Sequence, residues 1–350
     1  MLQEIKIVNF RNFGAVKLDF SGRDAILSGR NGSGKSNLLE AVHHLSILRS
    51  FRGARSREMV KIGETEFFLG GNLKVGNLTE FLSVRERSDG RRELFLGETK
   101  VRRSSEFIGE FQAVPFVPED RMIVSGNSGF RRKFFDILLS ALDENYFVAL
   151  VNYTRALDQR NRALRENHLN IAAAFEEELS RCGVKIGVFR ENCAQKIVDE
   201  MNRLLGKKYR FDLRYLRAFP GSEEEYRDKL KSQRQRELLK KCTLTGPQLD
   251  EFEMRLDGKL LRGFSSTGQQ RLTSLMLRLA HFNLVRKNAS APVVALVDDV
   301  TGELDDENLD RFLENIAVAD QRIFTFTGIP DREFFRRCQI IPVEKLEQIN

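Results

Sequence analysis

Apolar and polar residues alternate along the first twenty positions of the chain. Ile5 and Ile7, and later Leu18 and Phe20, occupy every second position around a turn at residues 12–14. A period of two is typical of half-buried strands, so this region predicts a β-hairpin.

Residues 24–28, with apolar Ala25, Ile26 and Leu27 at their centre, predict a further short strand, and a glycine-rich loop follows it. Beyond the loop, apolar residues recur at helical spacing (Leu38, Leu39, Val42, Leu45 and Leu48). The order is therefore strand, loop, helix. Alternation returns at residues 67–100 with glycine-containing turns, which predicts an antiparallel meander forming a second sheet against the first.

Long helical periodicity begins near residue 129 and continues to residue 205, and a highly charged helix is predicted at 222–241. After a Gly-Pro break at 246–247, alternation resumes and leads into a helix, an apolar strand and another helix. The pattern predicts an α/β domain assembled from both ends of the chain, residues 1–125 and 243–350, with a helical lid subdomain, residues 126–242, inserted between them.

Composition adds a mild positive charge. The chain has 57 Lys and Arg against 50 Asp and Glu, a net charge of +7 and a pI near 9.2. Nucleic acid is a common partner of basic chains, although an excess of this size is also ordinary for a soluble protein. No apolar run reaches the roughly 18 residues of a membrane helix, and the N-terminus lacks a signal-peptide profile, so we expect a cytoplasmic protein without a membrane partner.

The cysteines and histidines do not predict a metal centre. The chain has four cysteines without a Cys-x-x-Cys pair and four histidines without a spaced cluster. We interpret the cysteines as reduced thiols, and the adjacent pair His43 and His44 as packing residues on the helix after the glycine-rich loop.

The glycine-rich loop at residues 29–36 has the form G-x-x-x-x-G-K-[ST] between a strand and a helix. Its glycines let successive backbone N–H groups face one anion at the start of a helix. Lys35 is expected to neutralise the β- and γ-phosphates of ATP, and Ser36 to coordinate Mg²⁺. The residues predicted to contact the nucleotide are Gly29, Arg30, Asn31, Gly32, Ser33, Gly34, Lys35, Ser36 and Asn37.

A second carboxylate site stands at the end of the apolar strand 292–297, where Asp298 and Asp299 follow. This segment resembles a Walker B motif. We expect Asp298 to hold Mg²⁺ with Ser36, and Asp299 to polarise the attacking water, so Lys35, Asp298 and Asp299 are the predicted catalytic residues.

A second anion-binding turn is predicted at Ser266, Thr267, Gly268 and Gln269, which open a helix. With the other two motifs, this segment resembles the signature loop of ABC-class ATPases. Such enzymes pair head to tail, so that the signature of one subunit covers the γ-phosphate held by the other. Residues 302–305, Gly-Glu-Leu-Asp, fit the D-loop that crosses such an interface.

The order of these motifs resembles the RecF family, bacterial DNA-repair members of the ABC/SMC-type ATPases. The resemblance rests on segments spread along nearly the whole chain: 7–13, 116–120, 131–136, 266–271, 298–299 and 303–305. The segment at 118–120 falls where related ATPases place their Q-loop. The chain departs from the family where Gly32-Ser33 replaces the more usual Ala-Gln, and where Gly-Pro-Gln-Leu-Asp at 246–250 replaces Gly-Pro-His-Arg-Asp.

The resemblance implies an ABC-type ATPase head with a helical lid, dimerisation on ATP and slow ATP hydrolysis. It also implies binding to DNA, single-stranded, duplex or gapped, and action with RecO and RecR in loading RecA, in replication restart and in the SOS response. Basic clusters at Arg49, Arg52, Arg55 and Arg57, and at Arg102 and Arg103, are either DNA contacts or a solubilising surface.

Two other functions share part of this pattern. The nucleotide-binding subunit of an ABC transporter has all three motifs but normally carries a histidine after Walker B, where residues 323–327 here contain none. A small-molecule kinase would use the P-loop without needing a signature loop.

Overall fold

The computed structural model describes residues 1–299 and 306–346, apart from the side chain of Ser105. The chain divides into two compact units, one formed by Met1–Glu119 with Val285–Asn350 and the other by Asp120–Leu284. Both ends of the chain therefore belong to the same unit.

The strands and helices are numbered in chain order. The strands are β1 (Leu2–Phe10), β2 (Phe13–Asp19), β3 (Ala25–Ser28), β4 (Glu66–Val75), β5 (Leu78–Arg87), β6 (Arg92–Leu96), β7 (Thr99–Val101), β8 (Gln112–Phe116), β9 (Phe211–Leu216), β10 (Glu251–Leu256), β11 (Lys259–Leu260), β12 (Val293–Asp298), β13 (Gln321–Phe326) and β14 (Gln339–Pro342). The helices are α1 (Lys35–Ile47), α2 (Ser56–Met59), α3 (Ser104–Phe107), α4 (Arg121–Ser125), α5 (Ser128–Leu142), α6 (Glu144–Arg165), α7 (Leu169–Ala173), α8 (Glu176–Leu205), α9 (Glu223–Lys240), α10 (Leu261–Phe264), α11 (Thr267–Asn288), α12 (Asp306–Ile316) and α13 (Glu333–Arg336). Short 3₁₀ turns lie at Pro118–Asp120, Pro247–Leu249 and Val343–Lys345.

The first unit contains an antiparallel sheet in the order β2-β1-β4-β5-β6-β7. The hairpin and the meander are both confirmed, but they form one sheet rather than two. The reason is that β1 has two paired edges: Ile7 lies opposite Val16 of β2 on one side and Leu69 of β4 on the other.

A parallel sheet in the order β14-β3-β13-β12-β8 completes the first unit. Every residue of β12 is buried, as expected for a strand of a parallel sheet covered on both faces. Because β3, β13 and β12 run parallel, their carboxyl ends lie at the same sheet edge. This edge brings together the loop after β3 and the aspartates that end β12.

The second unit combines the long helices α5, α6, α8 and α9 with a small sheet in the order β11-β10-β9. The charged helix α9 begins with a capping box, in which Ser222 Oγ accepts from Glu225 N at 3.2 Å and Glu225 Oε2 accepts from Ser222 N at 2.7 Å. No helix among the described residues is both long and apolar enough to cross a bilayer.

The second unit extends further along the chain than the predicted lid at 126–242. Residues 243–284 belong to it because β10 pairs with β9, with Met254 opposite Leu213. The buried Arg190 of α8 also binds this region, donating to Pro247 O and Asp250 Oδ2 at 2.8 Å each, and to Asp136 Oδ1 of α5 at 2.8 Å. Charge pairs of this kind tie the family segments at 131–136 and 246–250 to the helices of the unit.

Candidate nucleotide-binding site

The glycine-rich loop has a backbone that side chains other than glycine rarely adopt. Gly34 is the N-cap of α1 with φ +101°, and a Cβ there would lie 2.7 Å from both Asn12 Nδ2 and Phe13 Cζ. Gly32 has φ +82°, and a Cβ there would meet nothing within 4 Å. Conformation therefore requires glycine at both positions, and close packing requires it at Gly34 as well.

The amino end of α1 lies at this loop. No side chain of the described residues caps it, because Gly34 at the N-cap has none. The first N–H groups of a helix need partners and carry partial positive charge, so this end of α1 suits an anion.

Lys35 lies on the loop itself. Its side chain is nearly buried, and its ammonium donates to Gly29 O at 2.7 Å and to Arg30 O at 2.9 Å. Its positive charge is therefore held at the loop by carbonyl dipoles.

Ser36 and Asp298 meet at the edge of the parallel sheet. Ser36 Oγ donates to Asp298 Oδ1 at 2.7 Å, and Thr325 Oγ1 of β13 donates to the same oxygen at 2.8 Å. Asp298 is only 5% exposed. The two predicted Mg²⁺ ligands, 262 positions apart in sequence, are in direct contact, and Thr325 is a partner that the sequence pattern did not reveal.

Asp299 follows at the end of β12 with a different environment. It is exposed and has φ +51°, a left-handed conformation that aspartate tolerates better than most residues. The two predicted catalytic aspartates thus differ sharply in burial.

A chain of side-chain hydrogen bonds fixes Asn37. Asn37 Nδ2 donates to Asn12 Oδ1 at 2.8 Å, and Arg52 Nη1 donates to Asn37 Oδ1 at 2.8 Å. One turn further along α1, the fully buried Glu40 accepts a forked pair from Arg11, at 2.8 and 2.7 Å. Residues from the β1–β2 turn therefore position the first turns of α1.

Glu344 approaches the loop from the other end of the chain. Its Oε1 accepts from Arg30 N at 2.7 Å, and both of its carboxylate oxygens lie 3.0 Å from where a Cβ of Gly29 would stand. The hydrogen bond from the Arg30 N–H is the main cause that holds the pKa of Glu344 below its ordinary value. A second hydrogen bond, from the backbone N–H of Glu344 itself, acts in the same direction. No sequence motif identified this contact.

The signature segment, in the second unit, is built as a helix start. Ser266 Oγ accepts from Gln269 N at 3.2 Å, and Gln269 Oε1 accepts from Ser266 N at 3.0 Å, which is a capping box. Ser266, Thr267 and Gly268 are exposed, and the preceding Phe264 is 75% exposed. The side chains of Ser266 and Gln269 are thus engaged with each other, while the surface of the turn faces solvent.

The segment at the Q-loop position contains a buried ion pair. Asp120 accepts a forked pair from Arg278 of α11, with 3.1 Å from Nε to Oδ2 and a second, shorter bond from Nη2. Arg278 also lies over the ring of Phe134 and contacts His281 Nδ1. Asp120 is therefore bound to the helix that the signature segment opens. The predicted D-loop, residues 302–305, lies outside the described residues.

The described residues contain no group of three or more His, Cys, Asp or Glu side chains placed to hold a metal ion. All four cysteines are free thiols. His43 and His44 are both buried, and His44 Nε2 contacts Glu86 Oε2 at 3.1 Å.

The arginines of both basic clusters are exposed: Arg49, Arg52, Arg55, Arg57, Arg102 and Arg103. Of these, Arg52 is bound to Asn37 and lies 3.7 Å from Glu40, so it is part of the P-loop surroundings.

Comparison with known proteins identifies the family to which this architecture belongs. The model of the RecF/RecN/SMC N-terminal domain family matches residues 1–327. The chain is 32% identical to the DNA replication and repair protein RecF of Clostridium acetobutylicum over 343 residues, covering 95% of this chain and 94% of that protein.

Solved structures of RecF match the fold of this chain over its whole length. A structure of the recombination mediator protein RecF with ATP has a TM-score of 0.88 and 28% identity, covering 100% of this chain and 97% of that one. A second RecF structure, with ATPrS, has a TM-score of 0.86 and 29% identity, covering 100% and 98%. The fold is the predicted ABC-type ATPase head, and the chain belongs to the RecF family of SMC- and ABC-type ATPases.

Proposed function

We propose that the chain binds ATP at residues 29–37 and acts as an ATP-dependent DNA-binding clamp in recombinational repair. The observation that carries the proposal is the convergence of Lys35, Ser36 and Asp298 at the amino end of α1. A lysine, an uncapped helix start and glycines with positive φ suit a triphosphate. The related RecF structures are described with ATP and ATPrS.

The oxygen ligands fit Mg²⁺. One hydroxyl, Ser36 Oγ, and one carboxylate oxygen, Asp298 Oδ1, lie 2.7 Å apart, and Mg²⁺ prefers such oxygens together with phosphate and water. When bound, Mg²⁺ neutralises charge on the phosphates. Thr325 holds the Asp298 carboxylate in place from the neighbouring strand.

Slow hydrolysis is assigned to Asp299, which would polarise water. Its exposed position beside the buried Asp298 leaves it accessible to solvent. Replacing Asp299 with Asn should slow hydrolysis by about 100-fold or more, the scale of a lost general base, without weakening ATP binding. Unchanged turnover in single-turnover assays would exclude this role.

The exposed signature turn supports dimerisation on ATP. Ser266, Thr267 and Gly268 present a helix start to solvent, and we propose that it covers the γ-phosphate held by Lys35 of a second copy. In sedimentation with ATP, the Asp299→Asn variant should then accumulate as a dimer. A variant that remains monomeric would contradict the pairing.

The proposed setting is the bacterial cytoplasm, at single-strand gaps or junctions, with RecO and RecR as partners and with RecA loading, replication restart and the SOS response as outcomes. The related structures are described in the RecFOR pathway. The net charge of +7 supports an anionic polymer partner.

The test is DNA binding with and without ATP to single-stranded, duplex and gapped substrates at two salt concentrations. We expect ATP to tighten binding, with preference for gapped DNA and an affinity that falls steeply with salt. DNA binding that does not depend on ATP, or ATP turnover that requires a small acceptor molecule, would contradict the proposal of an ATP-dependent clamp.

A further inference from the structure

The 3₁₀ turn Val343–Lys345 places a carboxylate on the P-loop. Strand β14 pairs with β3 in parallel, with Pro342 opposite Ser28, so the residues after both strands emerge at the same edge. Val343 is 5% exposed and fixes the turn in the core. Glu344 therefore reaches the loop from a turn that directly follows a paired strand.

Glu344 and Lys35 bind opposite ends of one peptide group. The peptide joining Gly29 and Arg30 accepts the Lys35 ammonium at Gly29 O, 2.7 Å away, and donates its N–H to Glu344 Oε1, also at 2.7 Å. Hydrogen bonds at both ends fix the orientation of a peptide plane, which otherwise rotates through φ and ψ.

We propose that Glu344 is a positioning residue for the nucleotide, which orients the Gly29–Arg30 peptide and through it the Lys35 ammonium. The proposal rests on the proposed function, since it concerns ATP binding at the same loop. The chemical class of ligand is a nucleoside triphosphate, which Glu344 itself does not touch.

Charge alone gives no reason for a carboxylate here. A negative side chain beside a triphosphate site repels the ligand, so Glu344 should weaken binding unless its hydrogen bond compensates. Glu344 is a carboxylate at neutral pH, as any glutamate of ordinary or lowered pKa is, and a bond to an ionised acceptor is stronger than one to a neutral acceptor. The close approach to Gly29, where a Cβ would stand 3.0 Å from both carboxylate oxygens, also ties the loop's first glycine to this contact.

The test measures binding of a fluorescent ATP analogue, mant-ATP, to the full chain. Glu344→Ala removes the acceptor and should weaken binding and raise KM about tenfold while kcat stays within twofold. Glu344→Gln keeps an acceptor oxygen and removes the charge, so its affinity should equal or exceed that of the wild type. Glu333→Gln, which changes an exposed ion pair with Arg337, is the matched control and should have no effect.

A double-mutant cycle separates positioning from general loss of structure. If Glu344 acts through Lys35, Glu344→Ala should add less than twofold to the loss caused by Lys35→Ala. Additive losses would overturn the proposal, as would unchanged binding in Glu344→Ala, or a loss in Glu344→Gln as large as that in Glu344→Ala. Failure of the wild type to bind mant-ATP would instead contradict the proposed function itself.

Discussion

The P-loop and the signature turn are both glycine-containing helix starts, but they are held in opposite ways. The P-loop is fixed by residues distant in sequence: Asn12, Asp298 and Glu344 each bind or approach it. The signature turn is fixed by its own capping box between Ser266 and Gln269.

This difference indicates different tasks. Contacts from both ends of the chain make the P-loop a pre-organised cradle, so that little ordering is left to the ligand. A turn stabilised by its own capping box, with Ser266–Gly268 exposed, is available to a surface that another molecule supplies. Substitutions in the P-loop should therefore act on the monomer, and substitutions in the signature turn on pairing.

Between the two turns, the largest expected effect is that of Lys35→Ala on ATP binding by the monomer. Loss of a charge-assisted contact to phosphate should weaken binding by about 10- to 100-fold, and dimerisation with ATP should be lost with it. Titration with mant-ATP measures the first and sedimentation the second. Lys17→Ala removes an exposed lysine that pairs with Glu4 on the antiparallel sheet, and should bind ATP normally. Equal ATP binding by Lys35→Ala and the wild type would show that Lys35 on this loop does not contribute to nucleotide binding.

The second expected effect is that of Ser266→Arg, which should block dimerisation and spare ATP binding in the monomer. The added charge and bulk would fill the partner's phosphate site, whereas the P-loop of the same chain keeps all of its contacts. Sedimentation velocity with ATP checks the first part and mant-ATP titration the second. Weakened ATP binding by the Ser266→Arg monomer would show that the signature turn also affects the P-loop of its own chain, which contradicts the prediction.

Much of the fold follows from local patterns. Alternation predicted the β1–β2 hairpin and the β4–β7 meander, and the G-x-x-x-x-G-K-[ST] spacing predicted a loop between β3 and α1. Alternation does not encode which strands pair, which is why the joining of β1 to β4 was missed. For the same reason the sequence did not indicate that residues 243–284 belong to the compact unit of the long helices, since the β9–β10 pairing is a long-range contact.

The sequence predicted only those residues of the candidate site that stand at fixed positions within a motif. Asp298 ends an apolar strand and was identified, and the structure brings it to Ser36. Thr325 and Glu344 occupy ordinary strand and turn positions, and only the parallel register of β13 and β14 with β3 brings them to the site. Such contacts depend on tertiary packing, which no single-sequence motif records.

The third prediction compares glycines in the two turns. Gly34→Ala should lower the free energy of unfolding by about 1–2 kcal/mol or more, because Gly34 has φ +101° and close neighbours in Asn12 and Phe13. Gly268→Ala should be tolerated, because a Cβ there meets nothing within 4 Å and the residue lies in the first turn of α11. Denaturant unfolding followed by circular dichroism measures both. Similar losses would mean that the two turns are equally constrained.

The smallest expected effect concerns the capping box. Ser266→Ala removes the acceptor for Gln269 N and should cost about 1 kcal/mol locally, whereas Ser266→Gly should cost only a few tenths. Because the capping box joins two residues of the same helix start, the loss should appear as about fivefold faster amide hydrogen exchange in the first turn of α11. Exchange in α1 and mant-ATP binding by the monomer should not change. Faster exchange in both helices would show that the signature turn is coupled to the P-loop within one chain. The P-loop could then no longer be assigned to the monomer alone and the signature turn to pairing alone.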